Sequence, residues 1–577
     1  MPRTFILGLN PGVAGLNYHD PAAIFTSGDR VVFASEEERH CRVKHAPGVF
    51  PWTSVGAGFA TLGIQADDIA SIAVGHDPGL WVKRFQVSSR QSESMSEPRS
   101  DEKWKRFASA DRLRATAAVV EGLGRHYAGQ PVLFYPHHEA HAASAYYCST
   151  FSEATILVCD GVGELSSTSL WHGRNGELSL LLEYPVWESL GYFFAIVTSM
   201  LGFSPWSDEG KVMGLAPYGR FDHELEERCN RELLRDGRLN LTQIISSSLR
   251  NGYELDFAQA KLLMAASTGI CPREAGQGLR SVDQAFAFWA QATLEREVLQ
   301  IAEDGIKLTG CANLAVAGGV HLNCKLNGRL RELPEVAAFF AQPVSGDAGS
   351  ALGAALLARG TKIHVPYESL SLGTPISIDQ VEKLLEGAPI IKREFCPRQL
   401  AREVADGAIV CWVQGRSEFG PRALGHRSIL ADPRSQSISD RVNEVVKRRE
   451  QWRPFCPSVL AERGQDLFFS KHGSVVSPYM IESFQVRPEW RQLLAGVVHR
   501  CDDSARPHTV TPQNNPRLHD LISCFSDITK VPALLNTSMN TKDEPIVETA
   551  YDVVEFFLKS PHVPVLVVDD AVFIKVT

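Results

Sequence analysis

The sequence predicts an α/β protein of two domains, the first built on a duplicated strand unit. Three observations carry this. A strand–turn–strand–strand pattern occupies residues 4–38 and recurs over 154–185. Helical text follows each copy. A stretch with Gly360, Pro366, Gly373 and Pro375, and few periodic apolar positions, then separates this region from text of a different kind.

In the first copy, Phe5 to Asn10 is a short apolar run ending in turn residues, and Ala22 to Thr26 is a second. Ser27-Gly28-Asp29 makes a turn and Val31 to Ala34 is a third strand. Helical text covers 111–127. In the second copy, Thr155 to Cys159 is apolar and β-branched, and Asp160-Gly161-Val162-Gly163 turns the chain. Ser167 to His172 and Leu178 to Leu182 are strands joined by the hairpin signal Asn175-Gly176. Helices are expected over 188–202 and 281–308. Asn313 to Ala317 is a further strand that runs into Gly318-Gly319-Val320 and Asn323, where a helix start and two glycines let the backbone approach a ligand closely. Gly349, Gly353 and the Ala-rich 351–358 open another helix.

Residues 360–378 read as a linker. Beyond them come a helix over 379–386, a strand over 389–393, a helix over 398–406 and a buried strand from Ile409 to Val413. The domains are therefore expected at 1–362 and 363–577. Nucleotide-binding folds of the actin and sugar-kinase type set two such strand units across a cleft whose backbone N–H groups hold phosphate. Two unrelated β-meanders would give the same text.

Composition narrows the function. The chain has 577 residues, 44% hydrophobic and 22% charged, which suits a globular protein and excludes a disordered one. Lys+Arg 58 against Asp+Glu 67 leaves a net charge of −9, which argues against a nucleic-acid coat. No apolar run approaches the roughly 18 residues that cross a bilayer, and Phe5-Ile6-Leu7 is too short for a signal-peptide core. A cytoplasmic protein with no membrane partner is expected. The 12 cysteines include no CxxC pair, and Cys159 and Cys411 sit in strand-like text as reduced core thiols.

Candidate chemistry gathers in both parts. His137 and His141 lie i,i+4 on a helix opening at His137-His138-Glu139-Ala140-His141, about 40° apart around it, so two imidazoles could grip one metal ion. A pair of half-exposed histidines is the plainer reading of HxxxH alone, and His138 points elsewhere. Asp160 ends a core strand and Asp347 lies in Ser345-Gly346-Asp347, before a helix. An acid in such a place faces the ligand crevice of an α/β sheet, although a turn or cap role is commoner. Two His and two Asp would suit a divalent iron, manganese or zinc ion. His19, after a Gly-rich turn, could act as a general base. Glu36-Glu37-Glu38-Arg39 reads as a solvated helix start. Residues 416–453 carry Arg416, Arg422, Arg427, Arg434, Arg441, Lys447, Arg448, Arg449 and Arg453 among Gly and Pro, a setting for phosphate or carboxylate. Arg506 and the run Leu535 to Asn540 add polar donors. Trp412 and Trp452 could instead stack bases, and nucleic-acid binding is the competing reading.

Taken in order, these motifs resemble the NodU/CmcH-type O-carbamoyltransferases, a family that includes antibiotic-tailoring enzymes. The resemblance runs through Tyr18-His19-Asp20, Glu36-Glu37-Glu38-Arg39, Lys44-His45, the His137–Tyr146 run, Asp160-Gly161-Val162-Gly163-Glu164 and Gly210-Lys211-Val212-Met213-Gly214. It continues through Gly318-Gly319-Val320, Gly420-Pro421-Arg422-Ala423-Leu424-Gly425, Arg453-Pro454-Phe455 and Leu535-Asn536-Thr537-Ser538. It implies a TsaD-like (actin/sugar-kinase-type) first domain and a YrdC-like second domain. By analogy the second would form carbamoyladenylate from carbamoyl phosphate and ATP with Mg2+. The first would transfer the carbamoyl group to a small-molecule hydroxyl acceptor, releasing AMP.

The resemblance carries His137, His141, Asp160 and Asp347 over as metal ligands, iron first with manganese or zinc as alternatives. It carries His19 over as base and Gly318, Gly319 and Asn323 to the nucleotide. Arg422, Lys447, Arg453 and Arg506 map to the carbamoyl-phosphate and nucleotide phosphates, with Arg422 and Lys447 catalytic and Asn536 and Ser538 as helpers. A longer loop at Pro11 to Asn17 and Pro21 after His19-Asp20 depart from the pattern. A tRNA threonylcarbamoyl transferase and a kinase of the same fold are the alternatives. No nucleic-acid partner is expected, and a homodimer is one option. The acceptor is not legible, and segments 78–115 and 240–285 are expected to shape its pocket.

Overall fold

A computed structural model describes residues 4–12, 19–80, 129–250, 254–360, 367 and 369–576. The helix expected over 111–127, most of the loop before His19 and most of segment 78–115 lie outside them. The chain forms two compact units. One comprises Met1–Arg30, Pro47–Pro51 and Ile64–Pro366, the other Val31–Ala46, Trp52–Gly63 and Tyr367–Thr577.

The first unit repeats one sheet plan. In one sheet, β1 (Phe5–Asn10) pairs antiparallel with β2 (Ala22–Ser27) and parallel with β3 (Ile69–Val74), which pairs parallel with β4 (Val132–Phe134). In the other, β5 (Glu153–Cys159) pairs antiparallel with β6 (Ser166–Arg174), itself followed by β7 (Glu177–Pro185). β5 also pairs parallel with β8 (Asn313–Ala317), which pairs parallel with β9 (Ala338–Ala341). The order β2-β1-β3-β4 thus recurs as β6-β5-β8-β9. The central strands are buried over most of their length, which suits uninterrupted apolar runs such as Thr155 to Cys159. The duplication written in the sequence is a duplication of topology, and the α/β class holds throughout.

Two helices place the functional groups. His137–Cys148 is buried at every position but Glu139, and Ala348–Ala358 is its Ala- and Gly-rich neighbour. Their approach is set by Gly353: a Cβ there would lie 1.7 Å from the Ala140 carbonyl oxygen. Ala348–Ala358 also rests on β1, where a Cβ on Gly8 would fall 2.2 Å from the Ala351 carbonyl oxygen.

In the second unit, eight described strands form one sheet. Its order is Ile390–Glu394, Ala571–Lys575, Val565–Val568, Val410–Val413, Arg427–Ala431, Ala533–Ser538, Cys456–Leu460 and His508–Val510. The expected helices appear at Ile378–Leu385, with a Ser377–Gln380 capping box, and at Pro397–Ala405.

Two expectations are corrected here. The linker reading of 360–378 fails at Ser371–Pro375, a strand paired antiparallel with Arg416–Glu418. Gly373 serves close approach there rather than looseness, because a Cβ would sit 2.0 Å from Ser417 Oγ. The solvated reading of Glu36-Glu37-Glu38-Arg39 fails as well. Glu37–Cys41 is a short helix of the second unit, and Glu37 and Arg39 are buried. Glu37 accepts the Thr53 and Ser54 N–H groups and the Ser54 hydroxyl, which begins the helix Trp52–Leu62. Burial pushes the Cys159 and Cys411 thiols up to about 12, consistent with inert core positions. No helix among the described residues is long and apolar enough to cross a membrane.

Gly353→Ala is expected to cost about 3 kcal/mol, because backbone must move to admit the methyl group. Gly56→Ala, with open space around its Cβ in an exposed part of a helix, is expected to be neutral or slightly stabilising. Thermal unfolding of the two variants beside the parent protein checks the contrast.

Candidate metal centre and cation-lined site

In the first unit, His137, His141, Asp160 and Asp347 offer four ligand atoms within 4.8 Å of one another, all buried. His137 Nε2 lies 3.1 Å from His141 Nε2, 3.0 Å from Asp160 Oδ2 and 3.5 Å from Asp347 Oδ1. His141 Nε2 lies 3.6 Å and 3.7 Å from the same two oxygens. A metal with bonds of about 2.1 Å sets neighbouring donors about 3.0 Å apart in octahedral and about 3.4 Å apart in tetrahedral geometry. The spacing fits either. Two imidazole nitrogens and two carboxylates are also a donor set for a borderline divalent ion.

The fold explains the convergence. β5 and β8 are neighbours, so Asp160 and the Gly318-Gly319 turn emerge side by side at their C-terminal ends. The Gly319 N–H donates to Asp160 Oδ1 at 3.0 Å. Gly318 has φ +94°, and a Cβ there would meet the Cys159 carbonyl oxygen at 2.3 Å, so this turn requires glycine. His137 Nδ1 lies 3.1 Å from the Gly75 carbonyl oxygen; donating there leaves Nε2 a lone pair for a metal. Glu164 accepts the His137 N–H at 3.0 Å through both oxygens, and the Asp77 N–H at 2.7 Å. It thereby anchors the positive end of the ligand-bearing helix.

Charge shows what the cluster calls for. Burial disfavours an imidazolium at His137, yet Asp347 and Asp160 hold it well above the usual range. Burial likewise disfavours the carboxylates, and His137 and His141 hold both well below theirs. Two buried carboxylates in one site demand a positive partner, a proton or a metal ion.

His19 stands at the edge of this centre. Its Nδ1 lies 2.9 Å from Asp20 Oδ2 and 3.8 Å from Asp347 Oδ2, with its side chain 39% exposed. Burial disfavours its charge, but the Asp20 hydrogen bond and the Asp347 and Asp160 carboxylates outweigh it and raise His19 to about 9. Its ring stacks on Trp206 at 6.5 Å between centroids. His138 turns away to Ser169 Oγ at 2.8 Å, and burial pushes it down to about 3. Asn323 caps the helix Cys324–Arg331 and exchanges hydrogen bonds with Gln291.

The second unit holds a site of opposite sign. Lys447 ends a π-helical turn, Val442–Lys447, a rare form common at functional sites. Its ammonium donates to the Ser538 carbonyl oxygen at 2.7 Å, Ser538 Oγ at 3.2 Å, the Asn540 carbonyl oxygen at 2.7 Å and Asn540 Oδ1 at 2.6 Å. Burial, then Arg449, Arg453 and Lys44, push it well below the usual lysine range. Burial and Arg453 act on Arg449 in the same direction, with Arg506 adding to them. Arg506 donates toward Cys456 Sγ from Nε at 3.1 Å and Nη2 at 3.0 Å. Asn536 donates to Ser458 Oγ at 2.9 Å and to the Ala423 carbonyl oxygen at 3.2 Å, beside Arg422. Lys447, Arg453, Arg506 and Ser538 thus gather, and Asn536 ties in the Arg422 loop. Cations packed this closely suit a polyanion.

Sequence reading missed several participants. Arg449 and Asn540 were visible only as members of longer runs. His76, whose ring lies 4.3 Å from that of His137, has no spacing signal at all. Glu164 ends the Asp160-Gly161-Val162-Gly163-Glu164 motif, where its spacing alone gives it no role.

Comparison with known proteins agrees with the resemblance. Residues 11–356 match the family described as Carbamoyltransferase N-terminus, and 401–575 match Carbamoyltransferase C-terminus. Nodulation protein NolNO of Sinorhizobium fredii is 35% identical over 94% of this chain and 77% of its own length. Nodulation protein NolO of Bradyrhizobium diazoefficiens is 37% identical over 73% and 76%. Among solved structures, HypF of T. kodakarensis aligns at 13% identity over 62% of this chain and 47% of its own, with a TM-score of 0.32.

Metal retention is expected to fall as pH falls, because protons compete with the metal for imidazole nitrogen. The raised affinity of His137 for protons extends this competition above the ordinary imidazole range. Affinity should change by up to about tenfold per pH unit for each proton displaced. Equilibrium dialysis against zinc or manganese from pH 6 to 9, with His141→Ala as the low-affinity control, measures it.

Proposed function

The chain belongs to the carbamoyltransferase family, and from that premise we propose that it is an ATP-dependent O-carbamoyltransferase acting in two steps. The observation that carries this reading is the pair of buried sites of opposite charge, one in each unit. The cation-lined site of the second unit suits carbamoyl phosphate and ATP. There, carbamoyl phosphate loses phosphate to water, and the carbamate oxygen attacks the α-phosphorus of ATP. Pyrophosphate leaves and carbamoyladenylate remains. Lys447 and Arg422 balance the charge that builds on the phosphoryl oxygens, with Arg453 and Arg506 holding the phosphates and Asn536 and Ser538 orienting them. Mg2+ would accompany ATP.

Transfer belongs to the first unit. A carbamoyl group is a poor electrophile, and AMP is a far better leaving group than amide or hydroxide. A divalent ion held by His137, His141, Asp160 and Asp347, iron by family analogy, would supply Lewis-acid stabilisation of the AMP phosphate. A divalent ion on Asp160 and Asp347 would offset the carboxylates that hold His19 protonated. The neutral imidazole then takes the proton of the acceptor hydroxyl as its oxygen attacks the carbamoyl carbon, and Asp20 fixes it through Nδ1. The Gly318-Gly319 turn allows the nucleotide to approach backbone. The acceptor is a small hydroxylated molecule.

The full chain, given ATP, carbamoyl phosphate and Mg2+ without acceptor, is expected to form carbamoyladenylate and pyrophosphate, read by mass spectrometry. Lys447→Ala and Arg422→Ala should reduce that rate by about 10²–10³-fold. His19→Ala should keep it and lose transfer to any acceptor. Absence of adenylate and pyrophosphate from folded parent protein would sink the two-step reading.

A further inference from the structure

The loop that carries Arg422 is held from outside its own strand pair. Gly420 and Gly425 adopt φ +104° and +86°, so the backbone between them follows a path that only glycines at both ends permit. Glu418 Oε1 accepts three N–H groups on the return side, from Leu424 at 2.7 Å, His426 at 2.8 Å and Arg427 at 3.0 Å. Asn536 holds the Ala423 carbonyl oxygen. On the outward side, the Gly420 carbonyl oxygen accepts a hydrogen bond from Arg39 Nη2. Arg39 lies 381 residues away in sequence yet belongs to the same compact unit.

Arg39 does not act alone. It is one of four buried charges, with Arg427, Glu418 and Glu548, each no more than 1% exposed. Arg39 Nε lies 3.4 Å from Glu36 Oε2, and Nη1 lies 4.0 Å from Glu548 Oε2. Glu548 Oε1 accepts the Thr374 N–H at 2.8 Å and the Ser417 hydroxyl at 2.7 Å. Arg427 donates to the carbonyl oxygens of Thr374 at 2.8 Å, His426 at 3.0 Å and Gly415 at 3.2 Å. Two arginines face two glutamates within the group, and Glu36 at its rim gives Arg39 a further carboxylate. A few residues on, Arg42 donates to the Ile546 and Pro545 carbonyl oxygens at 2.7 and 2.8 Å, fixing the segment that leads into Glu548.

Arg39 turns Nε toward Glu36 and Nη1 toward Glu548, and gives Nη2 to the carbonyl at the entry to the Arg422 loop. We propose that Arg39 is a positioning residue for Arg422, and that the N-terminal segment Val31–Ala46 is therefore a working part of the second unit's anion site. The inference rests on the reading that this site makes carbamoyladenylate. It reverses the expectation of a charged, solvated helix start and gives the Glu36-Glu37-Glu38-Arg39 run a task in the reaction of the other half of the chain. Arg39 touches no substrate; it sets where the Arg422 backbone begins.

The diagnostic substitution is Arg39→Lys in the full chain. It keeps the positive charge at this position but loses the guanidinium fork that reaches both Gly420 and Glu548. Carbamoyl-phosphate-dependent ATP–pyrophosphate exchange is the readout, beside thermal unfolding. Parent protein must show exchange; its failure there would overturn the functional reading and not this one. The expected result is a rise of about tenfold or more in KM for carbamoyl phosphate, with KM for ATP little changed. Combined with Arg422→Ala, Arg39→Lys is expected to add no further loss, because its effect passes through Arg422. A purely structural role would instead multiply with Arg422→Ala, or would leave the exchange kinetics of the folded fraction at parent values. Either outcome overturns the proposal. If Arg39→Lys does not fold, Arg39→Gln, which keeps an N–H donor but is too short to reach Gly420 and Glu548 together, takes its place in the same cycle with the same two outcomes.

Discussion

Two carboxylates, Asp160 and Asp347, are buried within reach of the same two imidazole nitrogens, and nothing about that arrangement is stable without a positive charge among them. A buried unpaired carboxylate costs several kcal/mol, far more than a turn or a cap returns. The first unit is organised to meet this condition. The duplicated sheets bring strand ends together, and the close contact at Gly353 brings the helix that follows Asp347 against the helix that bears His137 and His141. The Gly75 carbonyl and Glu164 then fix the direction from which His137 offers Nε2. Each of these features is ordinary alone. Together they leave a four-donor cluster whose spacing suits a divalent ion.

The second unit solves the reverse problem. Lys447, Arg449, Arg453 and Arg506 are drawn together, and burial and mutual repulsion lower the basicity of Lys447 and Arg449. Backbone carbonyls and Asn540 hold the lysine ammonium in place at some electrostatic cost. A site kept in that condition suits a phosphorylated ligand, since an anion would relieve repulsion that the protein otherwise carries. The nearby Arg39–Glu418–Glu548–Arg427 group differs in setting its buried arginines against buried glutamates, so its cations have partners within the protein.

Much of this was legible because the signals were local. The i,i+4 spacing of His137 and His141 needs only a helix. Asp160 needs only a strand that stops, and the Asn175-Gly176 hairpin needs only two residues. Duplication was legible because each copy writes its own apolar runs. The features that escaped depend on contacts across hundreds of residues. Nothing near Arg39 announces that its partners are Gly420 and Glu548, and a run of three glutamates before it imitates a solvated helix start. Gly373 looks like linker punctuation because its reason, Ser417 Oγ, lies in another strand. His76 reaches His137 only because β3 lies beside β4, the strand that leads into the His137 helix. A one-dimensional pattern carries periodicity well and long-range charge pairing poorly.

The opposite charges of the two sites also give the proposed reaction a direction. Carbamoyl phosphate and ATP are polyanions, and a cationic pocket favours them over the adenylate they form. Carbamoyladenylate keeps a single negative charge on the phosphoryl group that joins its ribose ester to its carbamoyl anhydride, so the pocket that gathers the substrates would grip the intermediate less. A dication beside Asp160 and Asp347 brings the first unit's centre to zero formal charge, and such a centre accepts a monoanion that a bare pair of carboxylates would repel. On the proposed reaction, affinity at the cationic site would fall when the adenylate forms, and a divalent ion held by His137, His141, Asp160 and Asp347 would let the other site accept it. Electrostatics alone would then order the two steps, with the labile anhydride passed on rather than held where it is made.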